Sequence, residues 1–221
     1  MTIVVKVGGA STDGIAAAVA ALRSPGTDVC VVHGAGPQIS EEMLRRGLAP
    51  RFVAGRRVTT PDVLDVVRES LSAVNAAVCD AIGPHALSLA GDEIGLEAEP
   101  VPELGLVGRA LPSAPQAVLD ALAANLVPVV TPLARGPLNV NADEAASALA
   151  VGIGAERIHF LTDVRGVYHE GRLVHTIAAP RAQALVDGGA FDGGIVPKLL
   201  AAAAAARNGI GAQIGVTAVT A

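Results

Sequence analysis

The 221-residue chain has a net charge of −5, so it has no basic field to hold nucleic acid or an anionic membrane surface, although the pair Arg56-Arg57 can still serve a small anion. About half of the residues are apolar (51%) but only 2% are aromatic, so a core of ample size must be built from Val, Leu, Ile and Ala. The two cysteines, Cys30 and Cys79, sit in apolar runs without metal-ligand spacing and read as buried small hydrophobes; no apolar run is long enough to span a bilayer and no signal-peptide pattern is present, which points to the cytoplasm.

Taken in order, Thr2 to Val7 is a nearly continuous β-branched run and reads as a buried strand of a parallel sheet. Gly8-Gly9-Ala10-Ser11 follows, then an alanine-rich helix from about Asp13 to Arg23 and a turn at Ser24-Pro25-Gly26. Asp28 to Val32 is a second buried strand. His33-Gly34-Ala35-Gly36-Pro37 leads into a helix to about Arg46, stopped by Gly47. Strand, glycine loop and helix, twice over, are the mark of an open α/β sheet with ligands at the carboxyl ends of its strands. Arg51 to Thr59 reads as a hairpin or lid. Thr60-Pro61-Asp62 starts a long helix by cap, N1 proline and first-turn acid. Val63, Val67, Leu71, Val74 and Val78 form one stripe on it, fit for packing in the protomer or against a second copy. Ala86 to Leu89 is a strand, Ala90 to Gly95 a loop, and Leu104 to Gly108 a strand or strand edge. Ser113 is placed to cap a helix through Asn125. Leu126 to Val130 is a strand, with Pro128 a mild objection to a central position. Arg157 to Leu161 is a strand, Arg172 to Ile177 part of a small hairpin, Arg181 to Asp187 a helix. A poly-alanine helix runs from Leu199 to Arg207, and Gln213 to Thr220 reads as one last strand.

Between these lies Leu138 to Ala150, polar in alternation and then alanine-rich. Asn139 and Asn141, two apart on an extended segment, face the same way. Asp143 falls at the N-cap or first turn of the following helix, where its carboxylate is favoured by the free N–H groups. By itself this is a capped helix with a polar approach. Likewise Gly8-Gly9 and Gly34-Ala35-Gly36 are anion-type loops that match neither the Walker nor the dinucleotide pattern. The lysines are sharper. The chain has only two, Lys6 and Lys198. One lies inside an apolar strand two residues before Gly8-Gly9, the other shortly after Gly193-Gly194. A lysine in an apolar strand is costly unless paired, so a catalytic role beside the two glycine loops outweighs structural ion-pairing.

Six motifs occur in order: Lys6-Val7-Gly8-Gly9, His33-Gly34-Ala35-Gly36-Pro37, Gly55-Arg56-Arg57-Val58-Thr59, Asn139-Val140-Asn141-Ala142-Asp143, Leu161-Thr162-Asp163-Val164-Arg165-Gly166-Val167 and Gly193-Gly194-Ile195-Val196-Pro197-Lys198. Over nearly the whole chain this resembles the amino acid kinase family, on its acetylglutamate kinase branch. The resemblance implies a three-layer αβα sandwich around an open, mainly parallel sheet. It implies an N-terminal lobe (1–152) for acetylglutamate and dimerisation, and a compact C-terminal lobe (153–221) for ATP. The implied reaction moves the ATP γ-phosphoryl group to the side-chain carboxylate of N-acetyl-L-glutamate, in arginine biosynthesis. Lys6 and Lys198 would flank the phosphoryl group, with Asp143 organising both. Ala35, Gly36, Arg57 and Asn139 would bind the acyl substrate. Gly8, Gly9, Thr162, Asp163, Val164, Gly166, Tyr168, Phe191 and Asp192 would line the nucleotide side. Mg2+ would accompany ATP, held mainly by phosphate oxygens.

The chain also departs from that pattern. Ala35 stands where glycine is usual, the Ala90 to Glu93 loop is short and acidic, and the ending is compact. No helix precedes Thr2, which within the family goes with a homodimer rather than an arginine-inhibited hexamer. Two other readings stay open: a kinase for a carrier-linked glutamate or aminoadipate, and a non-catalytic ligand-binding relic.

Overall fold

The computed structural model describes residues 1–8 and 14–221. The first half of the chain forms β1 (Thr2–Val7), α1 (Ile15–Leu22), β2 (Asp28–His33), α2 (Gly36–Arg45), β3 (Phe52–Val53), β4 (Arg56–Arg57), α3 (Pro61–Ile82), β5 (Ala86–Leu89), α4 (Gly91–Ile94), β6 (Glu97–Pro100) and β7 (Val107–Leu111). It continues as α5 (Gln116–Ala123), β8 (Val127–Val130), β9 (Leu133–Ala134), β10 (Leu138–Val140), α6 (Ala142–Gly152) and β11 (Arg157–Phe160). It ends with β12 (Tyr168–His169), β13 (Arg172–Leu173), β14 (Thr176–Ala178), α7 (Ala179–Asp187), α8 (Ile195–Arg207), β15 (Gly211–Ile214) and β16 (Thr217–Thr220).

Among the described residues the main sheet has eight strands in the order β14-β16-β15-β11-β1-β2-β8-β5. From β15 to β5 the neighbours pair in parallel, and β16 runs antiparallel to β15. Both faces are covered, which makes this a three-layer α/β fold. Ile3, Val5 and Val7 pack with α1, α2 and α3 on one face. Val4 packs with α5 to α8 on the other. The period of two therefore turns Lys6, on the same face as Val4, toward α6 and α8. Alanine has a purpose there. Ala145, Ala146 and Ala150 of α6 and Ala201, Ala202 and Ala205 of α8 are all buried in one cluster, so small side chains let the two helices approach closely. The Ser147 hydroxyl donates across this contact to the Ala201 carbonyl at 2.9 Å.

Several expectations shift. The stripe on α3 is buried within the protomer, packed with β1, β2 and β8 residues, so it gives no local argument for a second copy. Ala90 to Gly95 contains the short helix α4, started by Gly91 and ended by Gly95 at φ 91°. The strand expected at Leu104 to Gly108 starts later, at Val107; Pro102–Leu104 is a 3-10 turn, favoured by a proline at its first position. Ser113 caps nothing: α5 begins at Gln116 after Pro115, and the Ser113 hydroxyl is buried without a partner. Pro128 is accepted in an internal strand because it precedes Val129, the first residue that β8 pairs with β2. Asn141, rather than Asp143, caps α6, accepting from the N–H groups of Asp143 (2.8 Å) and Glu144 (3.2 Å). The poly-alanine helix starts at Ile195, which puts Lys198 inside its first turns. The expected last strand is two, β15 and β16, reversed at Gly215 with φ 54°.

Candidate functional site

The carboxyl ends of β1 and β2 and the amino ends of α2, α6 and α8 surround one cavity of about 300 Å³. At its floor, one carboxylate oxygen holds both lysines. Lys6 Nζ lies 2.9 Å and Lys198 Nζ 3.1 Å from Asp143 Oδ1. Lys6 and Asp143 are each 6% exposed. Burial, set against the attraction of Asp143 and reinforced by the Lys198 ammonium, pulls the pKa of Lys6 below its ordinary value. Three charges with net +1 are thus gathered in a desolvated place, a geometry complementary to an anion.

Arg57 forms another wall of the cavity. It is 6% exposed. It donates to Ser40 Oγ (2.9 Å), the Gly36 carbonyl (3.1 Å) and Met43 Sδ (3.1 Å), and it lies 4.6 Å from the centre of the Phe52 ring. Among the described residues no carboxylate lies within ion-pair distance of it, and burial lowers its pKa. Ala35 and Gly36, at the start of α2, line the same cavity with Asn139 and Asn141. The two asparagines therefore face one space, as their spacing predicts. The amide of Asn139 donates to Thr59 Oγ1 (3.0 Å), which in turn donates to the Arg57 carbonyl (2.8 Å).

A second cavity, of about 710 Å³, adjoins the first across Gly194 and Lys198. Val7, Gly8, Thr162, Asp163 and Val164 line it. Gly9 lies outside the described residues. Gly166, Tyr168, Phe191 and Asp192 are not among the lining residues. Gly166 is packed so close to Thr217 that a methyl group there would come within 2.6 Å of its hydroxyl. Tyr168 stands half exposed on the β12–β13 hairpin, and Phe191 lies in tilted contact with His169, ring centres 5.9 Å apart.

From the sequence, His33 had no role of its own, appearing only within its motif, and Asn75 was unremarked. His33 is fully buried under the Gly34–Gly36 loop. Asn75, on α3, donates to His33 Nε2 (3.0 Å) and to the Val129 carbonyl (2.9 Å). Burial pushes the His33 pKa down to about 4, against a weaker upward pull from the Gly34 carbonyl and helped by a still smaller push from the Lys6 charge. The unfolded histidine takes up a proton near 6.5, so the folded state gains fully from His33 above that pH. That contribution is lost as pH falls from about 6.5 toward about 4. Thermal unfolding across that window should show a loss of stability that His33→Gln flattens; an equal loss in the variant would refute this assignment. A polar residue inside the α3 stripe was the available signal for Asn75.

The sequence profile of the amino acid kinase family matches residues 1–215. This chain belongs to the amino acid kinase family. An acetylglutamate kinase of Geobacillus stearothermophilus is 37% identical to it over 224 residues, covering 95% of this chain and 87% of that protein. One from Nocardia farcinica is 40% identical over 236 residues, covering 94% and 77%. A solved carbamate kinase from Giardia lamblia bound to AMP-PNP has a TM-score of 0.73 at 16% identity, over 99% of this chain and 98% of that one. At that identity the likeness speaks for the fold alone. Among the described residues no helix is long and apolar enough to cross a membrane.

Proposed function

We propose that this amino acid kinase transfers the γ-phosphoryl group of ATP to the side-chain carboxylate of N-acetyl-L-glutamate, a step of arginine biosynthesis. The observation that carries this reading is Lys198, which borders both cavities while sharing one oxygen of Asp143 with Lys6. Acceptor and nucleotide then meet at a pair of ammonium groups. An ionised acceptor carboxylate attacks the γ-phosphorus, the bond to the bridging oxygen of ADP breaks, and no proton has to move. What the protein must supply is alignment and positive charge on the oxygens of the group in flight. Lys6 and Lys198 supply the charge, and Asp143 sets their spacing. Arg57 meets the α-carboxylate of the acceptor. The N–H groups of Ala35 and Gly36, free at the start of a helix, and the amide of Asn139 hold the rest.

In this reading residues 1–152 bind the acceptor and 153–221 the nucleotide, with β1 and α1 adding to the nucleotide wall. Gly8, Thr162, Asp163 and Val164 line that wall. Among the described residues no cluster of three His, Cys, Asp or Glu side chains could cage a metal, and the Asp143 oxygen is already shared by two lysines. Mg2+ would be carried on the ATP phosphates.

A coupled assay of ADP release tests this reading, with N-acetylglutamate, glutamate, aspartate and aminoadipate as acceptors. N-acetylglutamate is expected to give the highest kcat/KM. ADP release with none of the four from folded protein would refute the reading and leave a carrier-linked acceptor or a non-catalytic role.

A further inference from the structure

Beside the acceptor cavity lies a larger groove of about 940 Å³ between α6, α8 and the β3–β4 hairpin. Its walls are largely apolar, among them Ala148 and Val151 of α6 and Leu200 and Ala204 of α8. None of the described residues assigned above to acceptor, nucleotide or phosphoryl group lines it. The acceptor cavity and this groove share Phe52, Gly55, Arg56, Gly194 and Pro197, so the hairpin and the start of α8 form the partition between them.

Two contacts lie in that partition. The hairpin turns through Ala54 (φ 48°) and Gly55 (φ 76°), a two-residue reversal of the type I′ kind. This sets Gly55 beside the Pro197 ring, where an added methyl group would lie 3.7 Å away. Next to it, Arg56 Nη2 reaches across to Glu144 Oε1 at 2.7 Å, with both side chains little more than a fifth exposed. Arg56 and Glu144 are the immediate chain neighbours of Arg57 and Asp143. The ion pair thus ties the strand carrying the acceptor's guanidinium to the helix turn carrying the lysines' carboxylate. The Asn141 amide adds a weak contact to the Gly55 carbonyl at 3.5 Å.

We propose that the Arg56–Glu144 pair is a specificity-determining wall that confines the acceptor to a short N-acyl group by shutting the acceptor cavity off from the apolar groove. This inference rests on the acceptor reading given above. With the pair in place, an acyl chain longer than acetyl meets a charged bridge it cannot desolvate. With the pair broken, the same chain gains an apolar space large enough to hold it. A hydrophobic pocket discriminates by roughly tenfold or more per methylene, so opening one should be visible in relative rates.

The experiment measures kcat/KM for N-acetyl-, N-butyryl- and N-hexanoylglutamate with the wild-type chain, Arg56→Ala, Glu144→Gln and Arg56→Lys. In the wild type the acetyl compound should lead. In Arg56→Ala the ratio of hexanoyl to acetyl should rise by about tenfold or more. Glu144→Gln keeps the side-chain volume and removes only the charge, so it should move the ratio the same way; it serves if Arg56→Ala does not fold. Arg56→Lys, which keeps an ion pair, should hold the wild-type ratio. An equal loss of rate on all three acceptors, with the ratio unchanged, would mark the pair as merely structural and overturn the proposal. So would a wild type that already takes the hexanoyl compound as well as the acetyl one. A wild type inactive on every N-acylglutamate would instead overturn the acceptor reading, an outcome read before any variant is made.

Discussion

Lys6→Ala and Lys198→Ala are each expected to lower kcat by about 10²–10³, the cost of removing one pre-organised charged donor from a transition state. The KM for N-acetylglutamate should change little, because each ammonium acts on charge that develops at the phosphoryl group rather than on the acceptor's fixed end. Both ammonium groups are within 3.1 Å of one oxygen of Asp143, so they are pre-positioned before any substrate arrives. Asp143→Ala should be comparably damaging. It leaves a buried and a largely buried ammonium group, mutually repelling, without a counter-charge. Asp143→Asn should retain the fold, since Asn141 rather than Asp143 caps α6. Its rate should still fall, because a neutral amide cannot hold two cations together. The double lysine variant should lose less than the product of the single losses, as groups acting as one unit do. Steady-state kinetics on variants with unchanged circular dichroism decide the matter. Near-normal kcat in either single lysine variant would refute the two-lysine mechanism for this chain.

The second large effect is expected at Arg57. Its guanidinium is buried, held at fixed angle by Ser40, the Gly36 carbonyl and Met43, and has no carboxylate partner among the described residues. A desolvated cation of this kind is compensated when a ligand carboxylate arrives. Arg57→Ala should raise the acceptor KM by on the order of 10²-fold, the lower range for losing one side of a buried charge pair. Arg57→Lys keeps the charge but not the planar fork or the stacking on Phe52, and should raise it by roughly tenfold. The KM for ATP should stay nearly constant in both. A rise in the ATP KM instead would move Arg57 to the nucleotide side and break the assignment.

Those two predictions draw on different kinds of information. The lysines were legible because composition isolates them: two lysines among sixteen cations, each beside a glycine pair. Arg57 was legible only through its motif. Nothing local separates it from Arg56, yet in the first cavity one stands against Ser40 and Phe52 while the other crosses to Glu144. Adjacent strand residues take opposite directions, and which direction is inward depends on what the hairpin packs against.

Element types were read from periodicity and turn chemistry, and they hold for β1, β2, α3 and the β3–β4 hairpin. Misplaced boundaries share a cause. Ser113 looked like a cap, but Pro115 moves the helix start past it. The last strand looked single because a lone glycine inside an apolar run does not say whether the chain reverses there, and at Gly215 it does. Tyr168, Phe191 and Asp192 sit in the loop-rich part of the C-terminal half, where motif order places residues near a site without saying which side chains turn into it.

The sequence by itself determined the alternation of strand, glycine loop and helix, the burial of the first strands, and the family through six ordered motifs. These depend on local propensity and spacing, which the chain carries with it. Only the tertiary structure decided that Lys6 and Lys198, 192 positions apart in number, share one oxygen of Asp143, that Lys198 borders two cavities, and that Arg56 pairs with Glu144 where the first cavity meets the apolar groove. Such facts depend on strand order and on how closely α6 and α8 approach, and those follow from the packing of the whole core rather than from any segment of the chain.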